Sequence, residues 1–583
     1  FPATSFSKEV FMNDIRRTIL WVIFGFSMVL LWDKWQVHNG HKATFFPTPT
    51  AVTAAADAPA AAASGTASVP TASSSGTAAS PAQVPGGAAA APAHERVTVR
   101  TDVMEVAFDT QGGSMSKAVF PRFKAMDGSS TPFVLLDESR ERVYLAQTGL
   151  VGGDFPNHKT PLTLVPGERT LQDGQNELVV RFESPDVGGV KLVKSYTFTR
   201  GSYAVKVQHE VFNKSGAPVA PQLYMQLVRD GNKPPGESSF YSTFTGPAIY
   251  TDAKKYQKIE FKDIENNKVD VEKSATNGYV AMVQHYFASA WLLADGLKRE
   301  LFTRKVDNNL YAVGMITPLD SIAPGASKLV ESKLFVGPQE EKMLESLAPG
   351  LELVKDYGWL TILAKPLYWL LTLLYGFLGN WGWAIVALVV LLKAAFYWLN
   401  AKAYASMAKM KAINPRIQEM RERLKDKPQQ MQQEMMKIYR EEKINPMGGC
   451  FPILIQIPVF IALYWVLLSS VEMRGAPWIL WITDLSQPDP YFILPLIMTA
   501  TSLLQTWLNP TPPDPMQAKM MWIMPLMFSV MFFFFPAGLV LYWVTNNILS
   551  IAQQWFINKR LGVLVTPSNP IKLFFGKPDA EKK

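Results

Sequence analysis

"MMWIMPLMFSVMFFFFPAGLVLYWVTNNILSIAQQWFIN", Met520–Asn558, contains no lysine, arginine or acid. It is about two membrane spans long at ~20 residues per span. "FPAG" (Phe535–Gly538) breaks it where a turn is needed. Outward from it lie three more charge-free stretches, 366–392, 444–471 and 490–513, each long enough for at least one span. Near the start, "TILWVIFGFSMVLLW" (Thr18–Trp32) follows Arg16 and Arg17 and is trailed by the bulky, polar "DKWQVHNGHK". It is a secretory signal h-region or a retained anchor, and the lack of a small-residue cleavage site directly after it favours the anchor. The pattern predicts six spans and therefore both termini on one side. They are 18–32, 380–400, 448–470, 491–509, 520–535 and 538–558, with a short loop at 510–519.

Positive charge selects the side. The segment 401–447 carries eleven of the chain's 57 basic residues, from Lys402 to Lys443, and the tail 559–583 carries six more. The loop 471–490 has Arg474 alone. The basic loop, the tail and residues 1–17 are thus expected in the cytoplasm, with 33–379 outside. The net charge of +8 is a topology signal, and no motif for a specific nucleic-acid sequence accompanies it. One cysteine, Cys450, leaves the external region to fold without internal disulfides. The chain opens on Phe1, and "MNDIRRTILW" from Met12 reads as a natural beginning.

Within the linker 33–94, Ala43–Ala93 is almost wholly Ala, Ser, Thr, Pro and Gly, a composition that predicts a flexible tether. From about His94 the texture changes. "KLVKSYTFTRGSYAVKVQHEVFN" alternates apolar and polar residues around Gly201-Ser202, as a β-hairpin does, and "VTVRTDVMEVAFDTQGGSMSKAVF" and "NELVVRFES" are similar. Residues 95–340 are expected to form an antiparallel β-sandwich. The segment 341–379 turns helical, and Tyr357 and Trp359 suit a membrane interface. In 401–447, Pro415, Pro428 and Pro446 punctuate two helical stretches. Ile417, Met420 and Leu424 line one and Met431, Met435 and Ile438 the other, which predicts an αα-hairpin. It is either a solvated link between spans or a docking arm.

The six histidines all lie outside the spans and none has metal-ligand spacing, so an HExxH protease is excluded. The four C-terminal charge-free stretches hold no carboxylate for a proton relay. A Ser–Lys pair of Lys393 with Ser529 has no supporting spacing. No cofactor and no enzymatic activity are expected. What remains inside the spans is polar rather than catalytic. Gln456 lies between two prolines, Thr499, Thr501, Ser502 and Gln505 follow, then Ser529, and then Thr545, Asn546, Asn547, Ser550, Gln553 and Gln554. Such residues serve either as interhelical hydrogen-bonding groups or as the lining of a wet cavity. Met524, Met527 and Met531 give one span a soft surface suited either to core filling or to varied apolar partners. Lys393 stands in "VVLLKAAFYWLN". It marks the cytoplasmic end of a span that starts near Pro366, or lies ~13 Å inside one that starts at "GNWGW".

"NPMGGCFPILIQIPVFIALYWVL", "SMAKMKAINPRIQEMRERL", "FPAGLVLYWVTNNILSIAQQ" and "DIRRTILW" resemble the YidC membrane-protein insertases of Gram-negative bacteria. "DTQGGSMSKAVFP", "GYVAMVQHYFASAW" and "LFVGPQ" resemble that family's periplasmic domain. The resemblance implies a polytopic α-helical membrane protein with a five-helix insertase core and a periplasmic all-β supersandwich. It also implies a hydrophilic groove that opens to the cytoplasm and lipid. Lys393 falls where the family usually has an arginine, which favours its buried position. Gln456, Ser529, Tyr542 and Trp543 fall on groove positions, and Asn546 and Asn547 are expected beside them. Met524, Met527 and Met531 are the expected apolar contacts of a client. Lys393, Val389 and Trp543 depart from the usual Arg, Thr and Tyr, so charge is expected to matter more than a bidentate fork. The implied partners are nascent membrane proteins, the ribosome, the Sec translocon with its accessory subunits, and membrane lipids. A transporter or lipid translocase using the same cavity is the alternative function, and a pure assembly chaperone a third.

Overall fold

The computed structural model describes residues 69–70, 95–126, 129–237, 243–424, 427–442, 451–509 and 515–560. The expected first span, the N-terminal residues, most of the tether, Cys450 and the tail beyond Arg560 lie outside the described residues.

Strands from Arg96–Arg100 to Ser327–Pro338 form two sheets, one of ten strands and one of nine. Pairing is antiparallel throughout the named ladders, as the alternating sequence requires. The hairpin around Gly201 joins Val190–Thr199 to Ala204–Asn213, with Val207 opposite Tyr196. Between Glu105–Asp109 and Ser114–Lys124, Gly112 sits at φ +74°, and a Cβ there would meet the His158 carbonyl oxygen at 2.3 Å. Only glycine fits.

The two sheets face each other across a core of Phe108, Phe182, Phe198, Trp291, Phe335 and their neighbours. Polar ties cross that core. Tyr144 Oη lies 2.7 Å from Ser289 Oγ, the Trp291 indole donates to Gln226 O at 3.1 Å, and Arg229 donates to Gln284 Oε1 at 2.8 Å. Fully buried Lys194 donates to Gly112 O and Thr148 O at 2.7 and 2.8 Å. A neutral amine has two N–H donors, so these two carbonyls satisfy it. Burial pushes its pKa down to about 7.

Burial, and after it the Lys194 charge, hold His158 and His209 at about 3; burial holds His285 at about 4. The unfolded histidines bind protons below their usual 6.5, so stability is full above that pH and falls as pH drops towards 4. Lys194 acts on the other side. The unfolded lysine stays protonated to about 10.5 while the folded one does not, so stability rises with pH above 7. Denaturant midpoints of the β-domain are expected to decline from pH 6.5 to 4 and to climb from pH 7 to about 9, above which the buried tyrosines, whose pKa values burial raises, favour the unfolded chain as it ionises. Lys194→Met should abolish the climb and leave the acid limb; a climb that survives the substitution rules Lys194 out as its source.

The helices of the C-terminal region are α1 (Thr361–Leu378), α2 (Trp381–Ala395), α3 (Tyr397–Arg423), α4 (Pro428–Glu441), α5 (Phe451–Ser469), α6 (Ile493–Leu508), α7 (Pro515–Phe532) and α8 (Ala537–Arg560). Around a core of Leu371, Ile385, Leu463, Val466, Val540 and Leu541, α1 packs on α2 and α5, and α8 packs on α2 and α6. Large apolar side chains remain exposed on α1, α2, α6, α7 and α8, whereas on the β-domain only Val179, Leu297 and Leu329 do among the described residues. A surface so apolar over several helices is that of a region solvated by lipid.

Several expectations change. The stretch 380–400 is not one straight helix: α2 and the start of α3 meet at Phe396 with a 68° bend. Gln553 of α8 donates to the Tyr397 carbonyl at 3.3 Å, a side-chain contact of the kind that relieves a helix break. Pro415 does not punctuate the hairpin, because α3 runs through it. One lost backbone bond is offset where Ile413, Ile417 and Met420 pack on Ile438 of α4. Part of the expected 510–519 loop is already helix, since Pro515 starts α7 at a position where proline lacks nothing. That helix ends at Phe532, not 535, and α8 extends to Arg560. By length and composition α1 is also the one helix among the described residues that is by itself long and apolar enough to cross a membrane, which leaves the expectation of a surface-lying helix in 341–379 as it stands.

Candidate functional site

Asn380 caps α2, accepting from Trp383 N at 3.1 Å, and donates to the carbonyls of Pro477 and Trp478. Gly382 lies so close beneath Trp478 that a Cβ would meet its ring at 2.2 Å. The loop after α5 therefore holds the start of α2. The same loop covers the α7–α8 turn, where Ala537 N donates to Gln487 O at 2.7 Å and Gly538 N to Leu485 O at 2.9 Å. Below this lid an aromatic cluster joins Phe460 to Trp543 (4.5 Å between ring centres) and Trp543 to Phe532 (4.7 Å).

Three turns further along α2 comes Lys393, half-buried. With Val389, Leu392, Phe396, Asn400, Gln456, Val459, Tyr542 and Asn546 it lines a cavity of about 20 Å³, room for roughly one water. Its Nζ donates to Ser550 Oγ at 2.7 Å, and Ser550 in turn donates to the Asn546 carbonyl at 2.7 Å. Gln456 Nε2 donates to Asn546 Oδ1 at 3.2 Å. No acid among the described residues pairs with the lysine. With the bend at Phe396, only about three residues of α2 separate Lys393 from the break. Along the α2 axis its distance from Lys402 is then about 8 Å rather than 13 Å.

The family models for the YidC periplasmic domain and for the 60Kd inner membrane protein match residues 96–370 and 373–563. A membrane protein insertase YidC of Cupriavidus necator is 57% identical over 549 residues, 94% of this chain and 98% of that one. Its counterpart in Burkholderia cenocepacia is 56% identical over 552 residues, 94% and 99% of the two chains. The chain belongs to the YidC family. A crystal structure described as an active YidC insertase with its first transmembrane domain resolved aligns at a TM-score of 0.36 and 18% identity, over 78% of this chain and 91% of that one. In this YidC chain the seam between the two matched regions falls inside α1. The periplasmic β-sandwich and the helical inner-membrane region thus meet on one helix.

Of the residues expected in the YidC groove, the structure brings Lys393, Gln456, Tyr542 and Asn546 to one cavity. Asn547 points elsewhere, donating to Ser502 Oγ at 2.9 Å and Thr501 Oγ1 at 3.3 Å, and so ties α8 to α6. Ser529 is buried and returns its proton to Pro525 O at 2.6 Å, one turn back on α7. Trp543 sits in the aromatic cluster, not on the cavity. Met524 and Met527 are exposed on α7, while Met531 packs against the helical core.

Ser550 and Asn400 were missing from the expected groove set. Helical spacing carried the signal. Tyr542, Asn546 and Ser550 recur at i, i+4 and i+8, so they share one face of α8. Asn547 and Gln554, at i and i+7, share another, and Gln554 duly bonds Asn509 on the α6 side at 3.1 Å.

Proposed function

We propose that this protein inserts, folds and assembles inner-membrane proteins without covalent chemistry. The observation that carries the reading is Lys393, a half-buried cation whose one hydrogen-bond partner among the described residues is a hydroxyl. A charge at that depth is costly and tends to be functional. Here it faces a small cavity between α2, α5 and α8, which Asn400, Gln456 and Asn546 also line. The polar flank of a nascent segment enters there, and attraction to Lys393 plus hydrogen bonds from Gln456 and Asn546 offset part of its desolvation cost. The apolar segment then passes to lipid along the exposed face of α7, where Met524 and Met527 lie.

The finer parts of the proposal are six spans with both termini cytoplasmic, contact with the ribosome through the basic hairpin and tail, and cooperation with the Sec translocon. Short apolar helices such as Ile493–Leu508 support local bilayer thinning beside the groove. The test is expression in cells depleted of their own insertase, scoring protease protection of a client's translocated tail. Restored protection is expected. A chain that folds and reaches the membrane yet leaves the tail in the cytoplasm overturns the proposal.

A further inference from the structure

The composition of Ala43–Ala93 predicts a featureless tether, yet Val69 and Pro70 within it are seated on the β-domain. Their seat is the outer face of the ten-stranded sheet. Alternation along the strands shows this: Leu223, Met225, Val313 and Met315 point into the inter-sheet core, while Tyr224 and Ile316, one residue out of step, form a separate cluster with Val151. Val69 packs on that cluster together with Phe302, and Pro70 is buried. Arg304 donates to the Val69 carbonyl at 2.7 Å and to Gln226 Oε1 at 3.2 Å, so its fork is held by the sheet as it grips the tether. Gln226 is itself held by Gln147 at 2.9 Å. Tyr224 is fixed from the far side by His158, whose backbone N–H donates to the phenol oxygen at 3.0 Å. Gly314 leaves room for Phe302, since a Cβ there would lie 2.5 Å from the ring. Each wall of the seat is thus positioned by a second residue, as in a built binding site.

We propose that this face is a docking site for a Val-Pro dipeptide, and that the chain fills it with its own tether. The dipeptide suits the seat. The Val69 carbonyl reaches Arg304, and the fixed proline φ lowers the ordering cost. Docking at Val69 and Pro70 fixes the face of the β-domain on which the tether is held.

The test uses the full chain in lipid nanodiscs with Cys450→Ser and with the second such dipeptide removed by Val84→Ser and Pro85→Ser. Spin labels go on Thr71→Cys and Asp173→Cys, and pulsed electron-spin distances are recorded. A narrow distribution is expected. It should broaden about twofold or more on Val69→Ser with Pro70→Ser, and again on Arg304→Gln. The tether variant changes no strand of the β-domain, so an unchanged thermal midpoint separates undocking from unfolding. A distribution already broad before substitution, or one still narrow after Val69→Ser with Pro70→Ser, overturns the proposal.

Discussion

Lys393→Glu is expected to abolish insertion of a client with an acidic translocated tail, by roughly a hundredfold, while Lys393→Arg stays within about threefold of the parent. The intermediate case is Lys393→Ala, at about tenfold, since losing one favourable electrostatic contact of about 1.4 kcal/mol is a factor of ten. The order Arg, Ala, Glu separates charge from shape. Among the described residues the lysine holds only Ser550, so Ser550→Ala removes that hydrogen bond and keeps the charge. That variant should lose less than about threefold, because water can replace a hydroxyl in a cavity with room for one. Protease protection of the tail in insertase-depleted cells measures all four. Equal insertion by Ala, Glu and Arg variants at matched expression would sink the electrostatic mechanism and leave only the uncharged groove and the thinned bilayer.

The second large effect is expected far from the groove, where the β-domain meets the helices. Lys355 follows the sandwich and is fully buried; its Nζ lies 3.2 Å from Glu472, in the turn after α5. Tyr368 of α1 donates to the same carboxylate at 2.5 Å and offers its ring to the lysine, 4.0 Å from ring centre to Nζ. Around this triad Ser469 donates to Asp356 O at 2.7 Å, Lys258 pairs with Asp356 at 2.6 Å, and His285 Nε2 donates to Leu468 O at 2.9 Å. Arg474 caps the arrangement, donating to Lys124 O and lying within 5.5 Å of the Phe133, Tyr286 and Phe287 ring centres. Removing one member of a buried pair strands the other. Glu472→Gln should therefore cost about 3 kcal/mol, towards the low end for buried pairs because the carboxylate keeps some contact with solvent. Adding Lys355→Met to that variant should recover most of the loss, since an apolar replacement of both charges is near neutral. Denaturant unfolding in detergent reads both. A cost below about 0.5 kcal/mol for Glu472→Gln would show that the triad does not hold the junction.

Much of this was legible in the sequence because its signals are local and additive. Charge-free runs mark apolar helices, period-two alternation marks strands, and basic loops mark a side; none of these needs a contact between distant residues. The motifs "NPMGGCFPILIQIPVFIALYWVL", "SMAKMKAINPRIQEMRERL" and "FPAGLVLYWVTNNILSIAQQ" carried the family in the same way. Tertiary structure alone decided which polar residues meet. Asn546 and Asn547 are adjacent and chemically identical, yet a rotation of about 100° per residue sends one to Gln456 and the cavity and the other to Ser502 and α6. The bend at Phe396, the passage of α3 through Pro415, the Lys355–Glu472 pairing across more than a hundred residues and the seating of Val69 on Arg304 are of the same kind. Each depends on a partner brought close by packing of the whole chain. Local sequence sets what a side chain is able to do, and the fold sets which other side chain it does it with.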